Sequence, residues 1–182
     1  MCEHSVKALK RRRVDAMYGK KKHFNGSERQ QCINSVLSWA SIILSALTSV
    51  SLLSDFKELM NPLIGDILSN NITFIMSLTL TIVLAAQKTF KYQELSEKNH
   101  QIGCSYLEIT KEIDNFLSFI EDGIVNEAEI KDQLLGIQKK INEIDKLAKK
   151  TKLRKIDYRK AKEGLESGEE TYTSEELDNW QN

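Results

Sequence analysis

The chain contains 182 residues, with 26 basic and 26 acidic side chains and therefore no formal net charge. This length suits one ordinary domain, or a small membrane module with a cytosolic extension. Three widely separated cysteines, Cys2, Cys32 and Cys104, argue against a disulfide framework and show no metal-ligand spacing. The averages are those of a soluble protein, but the charges are distributed very unevenly along the chain.

The first 30 residues form a basic segment that precedes the first uncharged stretch. This segment extends to Arg29, which is too far for the charged region of a signal peptide, and no small-residue cleavage site follows a short apolar core. We therefore expect residues 1–30 to form a basic amphipathic helix in the cytosol rather than a cleavable signal. Their basic cluster lies near enough in sequence to the first span to contact anionic lipid headgroups.

Two stretches without charge, Gln30–Ser54 and Ile67–Gln87, interrupt a chain in which 29% of the residues are charged. Within residues 31–90 they predict two transmembrane helices, at 33–53 and 72–90. At a rise of ~1.5 Å per residue these helices span about 31 and 28 Å, close to the ~30 Å hydrocarbon core of a bilayer. The connection is short and contains Pro62 and Gly65, so the two helices are expected to form an antiparallel hairpin.

The distribution of basic residues predicts the orientation of this hairpin. Lys and Arg are abundant before the first span and recur after the second, whereas the connection contains only Lys57. The positive-inside rule therefore places both chain ends in the cytoplasm. Two buried helices of a soluble bundle are the alternative, but a buried soluble helix usually keeps a charged face, which neither span has.

Hydroxyl-bearing residues recur at helical spacing within both spans. Those of the first span share one face and those of the second recur every four residues: Ser38, Ser41, Ser45, Thr48 and Ser49, then Thr73, Ser77 and Thr81. Close helix packing is the favoured interpretation, because small residues let backbones approach and hydroxyls bond across. The alternative is a stripe that lines a water-filled pore, which would require several copies because one hairpin cannot enclose a channel.

Beyond the second span, apolar residues follow a heptad rhythm from Leu95 to Ile120, and no proline interrupts the run, which predicts one continuous helix. Asp122-Gly123 ends it. A second seam follows with alternating steps of four and three: Ile130, Leu134, Ile137, Ile141 and Ile144. Residues 91–165 are therefore expected to form a cytosolic helical hairpin or coiled coil. An antiparallel pair within one chain is favoured, and the second seam is also a candidate for self-association.

The chain becomes strongly basic between Lys139 and Lys162. A solvated surface is the favoured interpretation. Contact with anionic lipid, or with an anionic ligand such as a nucleotide, is the alternative, and its candidate residues are Lys149, Lys150, Lys152 and Arg154. The acidic residues 166–182 are expected to form a loosely ordered tail, which could cover the basic run in a resting state.

No catalytic motif is present in the sequence. Phosphate-binding loops, dinucleotide-binding glycine patterns, zinc-protease motifs and nucleophile elbows are all missing. The histidines His4, His23 and His100 are scattered. A surface residue is the favoured interpretation of His100, and a pH sensor near the membrane exit is the alternative. The sequence therefore predicts a protein that is not an enzyme and has no cofactor, catalytic residue or metal site.

The order of these segments matches a known family. The basic segment RRRVDAMYGKKKHF precedes two close spans, and the second span runs into AAQKTFKYQELSEKNHQIGCSYLEITKEI. The matching positions are Ala86, Leu95, His100, Tyr106, Leu107, Glu112 and Ile113. In these features the chain resembles the SLATT family, the SMODS and SLOG-associating two-transmembrane effector domains. The resemblance covers roughly Ser5 to Ser118 and extends more loosely to about Leu165.

The resemblance implies an all-α membrane effector of a bacterial conflict system, located in the inner membrane. Such an effector is expected to oligomerise and perforate that membrane when a partner sensor detects phage, which is abortive infection. The implied partners are membrane lipids, further copies of the chain, and a nucleotide second messenger or a nucleotide-synthesising protein, with no direct contact to nucleic acid. Many relatives accompany nucleotide-related domains, and none is recognisable in this sequence. A membrane anchor whose cytosolic helices recruit a partner is the alternative.

Overall fold

The computed structural model describes residues 3–50, 62 and 66–170, with side chains for all of these except 66–70. The end of the first predicted span, most of the connection and the acidic tail from 171 lie outside these residues. The helices, in chain order, are α1 (Glu3–Val50), α2 (Asp66–Phe90), α3 (Tyr92–Glu121), α4 (Glu127–Ala148) and α5 (Lys155–Glu166). No strand occurs in the described ranges, so the predicted all-α class is confirmed.

The contacts divide the chain into two units. The helical unit comprises Met1–Glu28 and Leu95–Asn182, and the span unit comprises Arg29–Glu94. Helix α1 contributes its first part to the helical unit and its second part to the span unit. The basic N-terminal segment and the first span therefore belong to one helix.

The span unit is a pair of long apolar helices, as the hairpin prediction requires. Both α1 and the run that includes α2 are long and apolar enough to cross a membrane, and neither apolar window is buried in the chain. The apolar helices of a soluble bundle would bury such windows against protein. Large apolar side chains instead lie on the outside, among them Val36, Trp39, Ile42, Phe74, Leu78 and Ile82.

The helical run that leaves the second span departs from regular geometry at one residue. Lys91 has a φ of 47°, in the left-handed region that residues with a Cβ seldom adopt. Its N–H still bonds to the carbonyl of Gln87 at 3.1 Å. The second helix thus continues into α3 as predicted, with a local irregularity that the heptad pattern gives no sign of.

Three helical segments pack side by side in the helical unit. Arg13 pairs with Asp114 while Ser27 contacts Ser96, so α1 and α3 run in opposite directions. Helices α3 and α4 are antiparallel too, because Tyr106 bonds to Asp145 near one end of α4, whereas Glu112 accepts from Gln133 nearer the other end at 2.8 Å. The shared core is mostly isoleucine.

The second apolar seam is part of this core. Ile130, Ile137, Ile141 and Ile144 are buried, and Leu134 packs against them while partly exposed. The antiparallel pair within one chain is therefore the arrangement that the structure has. In a single chain the residues assigned to self-association face α1 and α3, so contact between copies through them would require this core to open.

The connection between α3 and α4 is specified by two terminal motifs. Gly123 has a φ of 71°, and the N–H groups of Gly123 and Ile124 bond back to Ile120 and Phe119, which is a Schellman motif. Asn126 and Glu129 then form a reciprocal capping box at the start of α4. The predicted break at Asp122-Gly123 is thus confirmed, and its cause is the left-handed glycine.

Candidate functional site

The hydroxyl stripes of the span unit divide into an inner and an outer set. Ser38, Ser41, Thr48, Thr73 and Ser77 are half-buried between helices, whereas Ser45, Ser49 and Thr81 are exposed. A repeat of four residues advances by about 40° more than a full helical turn, so it drifts around the helix. This drift explains why Ser77 belongs to the packed face and Thr81 does not.

A glutamine joins the inner hydroxyls across the two helices. Gln87 donates from Nε2 to the Oγ of Ser38 at 3.2 Å, and the Oγ of Ser41 lies 3.5 Å from Gln87 Oε1. Ser41 also donates to the carbonyl of Leu37 at 2.9 Å. A half-buried amide in a membrane segment requires such partners, because lipid offers none. Sequence analysis missed Gln87, although it ends the second uncharged stretch.

The outer hydroxyls bond to their own helices. Ser49 donates to the carbonyl of Ser45 at 3.0 Å, and Thr81 donates to that of Ser77 at 2.8 Å. These bonds satisfy the hydroxyl hydrogens and leave oxygen lone pairs on the outer surface of the hairpin. Such a surface can face lipid, a neighbouring helix or water.

A basic cavity of about 960 Å³ lies in the helical unit, where α1, α4 and α5 meet. Cationic side chains dominate its wall, and Asp145 is its one acidic residue. Its lining includes Lys22, His23, Asp145, Lys146, Lys149, Lys152, Arg154 and Tyr158. Three of the four predicted anion-binding residues therefore converge on one cavity. Lys150 instead lines a separate cavity of about 300 Å³ beside α3.

The wall of the basic cavity contains a buried histidine. His23 is 1% exposed, and its Nδ1 lies 2.8 Å from the Oδ1 of Asn99. The amide of Asn99 is oriented by its bond from Nδ2 to the carbonyl of Leu95 at 3.0 Å. Since Oδ1 can only accept, Nδ1 of His23 must be the donor, and its Nε2 is buried without a hydrogen-bond partner.

The charge state of His23 follows from its surroundings. Burial lowers the pKa of His23 below its ordinary value of 6.5, and the neighbouring Lys22 lowers it further. The bond to Asn99 and the carboxylates of Asp145 and Asp157 raise the pKa, but burial is the largest effect. The ring is therefore neutral near pH 7, with a bare acceptor at Nε2.

Aromatic rings surround the ammonium of Lys22 at the edge of this cavity. Its Nζ lies 5.9, 6.0 and 5.6 Å from the ring centroids of Tyr18, Tyr106 and Tyr158. The ring of Tyr106 also stacks on His23, with centroids 5.9 Å apart. Burial and the bond from its hydroxyl to Asp145 raise the pKa of Tyr106. Tyr106 thereby engages the cavity's carboxylate.

The described start of the acidic tail contacts α1. After α5, Gly168 adopts a φ of 81°, and the N–H of Glu169 bonds to the carbonyl of Gly164 at 3.2 Å. This reversal lets Glu169 pair with Lys21 and Glu170 with Lys20. The partners observed for these two glutamates thus lie in the N-terminal basic segment rather than between Lys139 and Lys162.

Sequence reasoning found the basic residues but missed the polar groups buried beside them. His23, Asn99, Ser27, Ser96 and Asp157 are all buried polar positions. Their helical spacing was the one available signal. His23 and Ser27 are four residues apart and Ser96 and Asn99 are three apart, so each pair lies on one face of its helix. His100 is exposed, as the favoured interpretation of a surface residue requires, and its ring centroid lies 5.4 Å from that of Phe24. Among the described side chains, no three metal-binding residues cluster.

The chain matches the model of a known family. The model for SMODS and SLOG-associating 2TM effector domain family 4 matches residues 7–176, which is most of the chain. The match includes both long helices of the span unit and every helix of the helical unit. No curated protein and no solved structure matches the chain.

Proposed function

Because this chain belongs to the SMODS and SLOG-associating 2TM effector domain family, we propose that several copies assemble into a pore in the bacterial inner membrane. The family makes the chain a membrane effector of a conflict system. Pore opening would depolarise a phage-infected cell, which then dies or stops growing. Both chain ends are cytoplasmic, and the effector acts without catalysing a reaction.

The outer hydroxyls support this proposal more than any other feature. Ser45, Ser49 and Thr81 are exposed on the surface of the described part of the hairpin. Small hydroxyl residues on a transmembrane surface favour close contact between helices of different copies. Once several hairpins surround a common axis, the same oxygens provide a hydrated path.

The helical unit supports the gating part of the proposal. Its basic cavity offers converging cations to an anionic signal, and a nucleotide or a partner sensor would act there. Such a signal opens the pore only if it binds the open assembly more tightly than the closed one. The helical unit would therefore keep the assembly closed until the signal binds.

Membrane potential is the test of this proposal. Bacteria induced to express the chain, alone or with a candidate sensor, are followed with a voltage-sensitive dye. One variant replaces Ser45, Ser49 and Thr81 with Leu, and the matched control replaces three exposed apolar residues, Val36, Ile42 and Ile82, with Leu. We expect depolarisation with the natural chain and the control, and none with the hydroxyl variant at equal membrane abundance. Depolarisation by all three proteins would refute a path through these hydroxyls.

A membrane anchor that recruits a partner is the second candidate. Large apolar side chains are exposed on the helical unit, with Phe119 50%, Ile124 72% and Leu135 69% accessible. Such residues suit docking of another protein. Replacing residues 33–53 and 72–90 by an unrelated transmembrane hairpin distinguishes the two functions, because an anchor would stay active and a pore would not.

A further inference from the structure

We propose that the basic cavity binds a soluble ligand bearing phosphate groups, and that His23 takes up a proton when the ligand binds. This inference deepens the proposed function and rests on it for its role, because the cavity would be the place where the gating signal acts. The binding itself is a property of the helical unit and can be tested without a pore.

The wall of the basic cavity carries several positive charges. Five cationic side chains line the cavity: Lys22 from α1, Lys146 from α4, and Lys149, Lys152 and Arg154 from the end of α4 and the segment before α5. Cations that converge from separate segments repel one another, and a bound polyanion relieves that repulsion. The opposing carboxylate, Asp145, already accepts a hydrogen bond from Tyr106. The cavity therefore favours an anion with more than one charge.

The buried histidine points to a phosphate ligand independently of the cavity's charge. His23 lines the cavity and is 1% exposed, yet its Nε2 has no partner in the described structure. A buried polar atom without a hydrogen bond is costly, and a ligand oxygen can relieve that cost once the side chains that cover Nε2 move aside. When Nε2 is protonated it becomes a donor, and a phosphate oxygen is a strong acceptor for it.

The charged groups around His23 determine how its protonation is coupled to ligand binding. Lys22 on α1 disfavours the imidazolium, while Asp145 on α4 and Asp157 on α5 favour it. The Tyr106 ring on α3 stacks on the imidazole and stays neutral. A bound dianion adds negative charge to this set and raises the histidine's affinity for a proton. Binding must then strengthen as pH falls, since proton and ligand favour each other.

The size and the aromatic wall define the ligand class. About 960 Å³ lies at the upper end of the ~300–1,000 Å³ range typical of small-molecule sites. The ring of Tyr158 lines the cavity and is 42% exposed, so a planar group attached to the phosphates can stack on it. These features fit a phosphate ester with an aromatic part better than a free inorganic ion.

Calorimetric titration of the full-length protein in non-ionic detergent tests the binding. Inorganic pyrophosphate is the probe for the phosphate subsite, and adenosine triphosphate is the probe for the aromatic wall. We expect saturable binding of both at physiological salt, and tighter binding of the nucleotide. Titrations in buffers of different ionisation enthalpy give the protons taken up. Vesicles containing phosphatidylglycerol form a separate arm, and binding to vesicles alone would overturn the proposal in favour of a lipid contact.

Matched variants locate the site. Replacing Lys149 and Lys152 together with Gln, at exposed positions where folding should be preserved, should weaken pyrophosphate binding by about tenfold or more, because charge-assisted bonds are lost. Replacing Lys131 and Lys139, exposed α4 residues that do not line the cavity, should leave binding within about twofold. If both double variants lost the same amount of pyrophosphate affinity, the binding would be general electrostatic attraction rather than a site, and the proposal would be overturned.

The His23→Asn variant tests the proton linkage. Asn places a donor near the position of Nδ1, which keeps the bond to Asn99, and it removes the titrating Nε2. The gain in pyrophosphate affinity from pH 8 to pH 6 should be larger for the natural protein than for the variant. Pyrophosphate itself titrates in this range, but it affects both proteins equally, so the difference between them reports His23. Identical pH profiles, with both proteins folded, would refute the role of His23.

The membrane-potential assay separates this inference from the proposed function. Binding without depolarisation would leave the cavity site established and refute the pore. Depolarisation without binding of either probe would support the pore and refute the site. If the Lys149 and Lys152 variant loses binding and still depolarises cells fully, the cavity binds phosphate but does not gate the pore.

Discussion

The Nδ1 of His23 lies 2.8 Å from the Oδ1 of Asn99, and both side chains are buried between α1 and α3. Asn99 fixes the tautomer because its own amide donates to the carbonyl of Leu95. Ser27 and Ser96 form a second polar contact one helical turn away, at 3.0 Å between their hydroxyl oxygens. The two helices are thus joined by directional bonds that specify their register, which apolar packing alone specifies less strictly.

Stability should fall in mild acid because His23 is buried in its neutral form. Its pKa is lower in the folded protein than the ordinary 6.5, so the unfolded chain binds more protons as the pH falls below that value. The contribution of His23 to the free energy of unfolding should be constant above pH 7 and should decrease below about pH 6.5. Thermal unfolding in detergent between pH 5 and 8 measures it.

The control for this prediction is His23→Asn, which cannot titrate. It should be less stable at pH 7, because a stacked ring is lost, but its stability should depend less on pH between 5 and 7 than that of the natural chain. The same acid dependence in both proteins would assign the effect to the carboxylates instead.

The Gln87 bridge should stabilise the transmembrane hairpin. Gln87→Leu removes the amide that bonds to Ser38 and approaches Ser41. Hydrogen bonds between membrane helices contribute ~0.6 kcal/mol on average and at most ~1.7. We expect a loss of that size, seen as a lower midpoint when the protein is unfolded by increasing the fraction of a denaturing detergent.

Thr79→Val is the matched control for the glutamine. Thr79 is exposed, and its hydroxyl bonds only within its own helix, to the carbonyl of Ile75 at 2.8 Å. Its replacement should change the midpoint little. A Thr79 variant as unstable as the Gln87 variant would show that the polar bridge adds no stability.

Close packing of α1 on α3 depends on glycine. A Cβ at Gly19 would lie 2.9 Å from the ring of Tyr106, inside contact distance. Gly19→Ala should therefore lower the free energy of unfolding by ~1–3 kcal/mol, the usual range for overpacking. Gly136 on α4 has nothing within 4 Å, so Gly136→Ala should instead raise it by ~1 kcal/mol through helix propensity. Denaturant unfolding of both variants measures these two changes in the free energy of unfolding, which should have opposite signs.

The sequence predicted the elements that follow from periodicity. The uncharged stretches specified the spans, and the isoleucine seam specified the core of α4, because apolar burial leaves a regular pattern. Gln87 and His23 were missed for a physical reason. A single polar residue on a helix leaves no periodic signal. Whether it forms a hydrogen bond depends on which side chain of another helix faces it. Lys91 was missed too, since a left-handed backbone at lysine contradicts the local preference.

For the basic run between Lys139 and Lys162, the sequence predicted the charge but not the place of each side chain. Composition marked residues 139–162 as positive, but only the fold shows that Lys149 and Lys152 line one cavity and Lys150 another. Adjacent helical positions point about 100° apart, so neighbours in sequence separate in space. Lys22 joins the cavity from the other end of the sequence, which no local pattern could indicate.

The contact between the described start of the tail and α1 should hold α5 in place. Lys20 and Lys21 are each 11% exposed at their side chains and pair with Glu170 and Glu169. Ion pairs with one partner largely buried are screened less than surface pairs, so the loss of these two pairs should weaken the contact between the tail and α1. Replacing both lysines with Gln should therefore accelerate amide hydrogen exchange in α5, Lys155–Glu166, by severalfold.

An ion pair within α5 provides the control for that experiment. Arg159 and Glu163 are 3.6 Å apart, but their side chains are 68% and 63% exposed. Exposed pairs at this helical spacing contribute only ~0.3–0.5 kcal/mol, so Arg159→Gln should change exchange in α5 by at most about twofold. Raising the salt concentration should reduce the effect of Arg159 further and leave most of the effect of Lys20 and Lys21. If the lysine variant exchanges at the natural rate, the packing of Ala161 and Asp157, both buried, is sufficient to hold α5 without the tail.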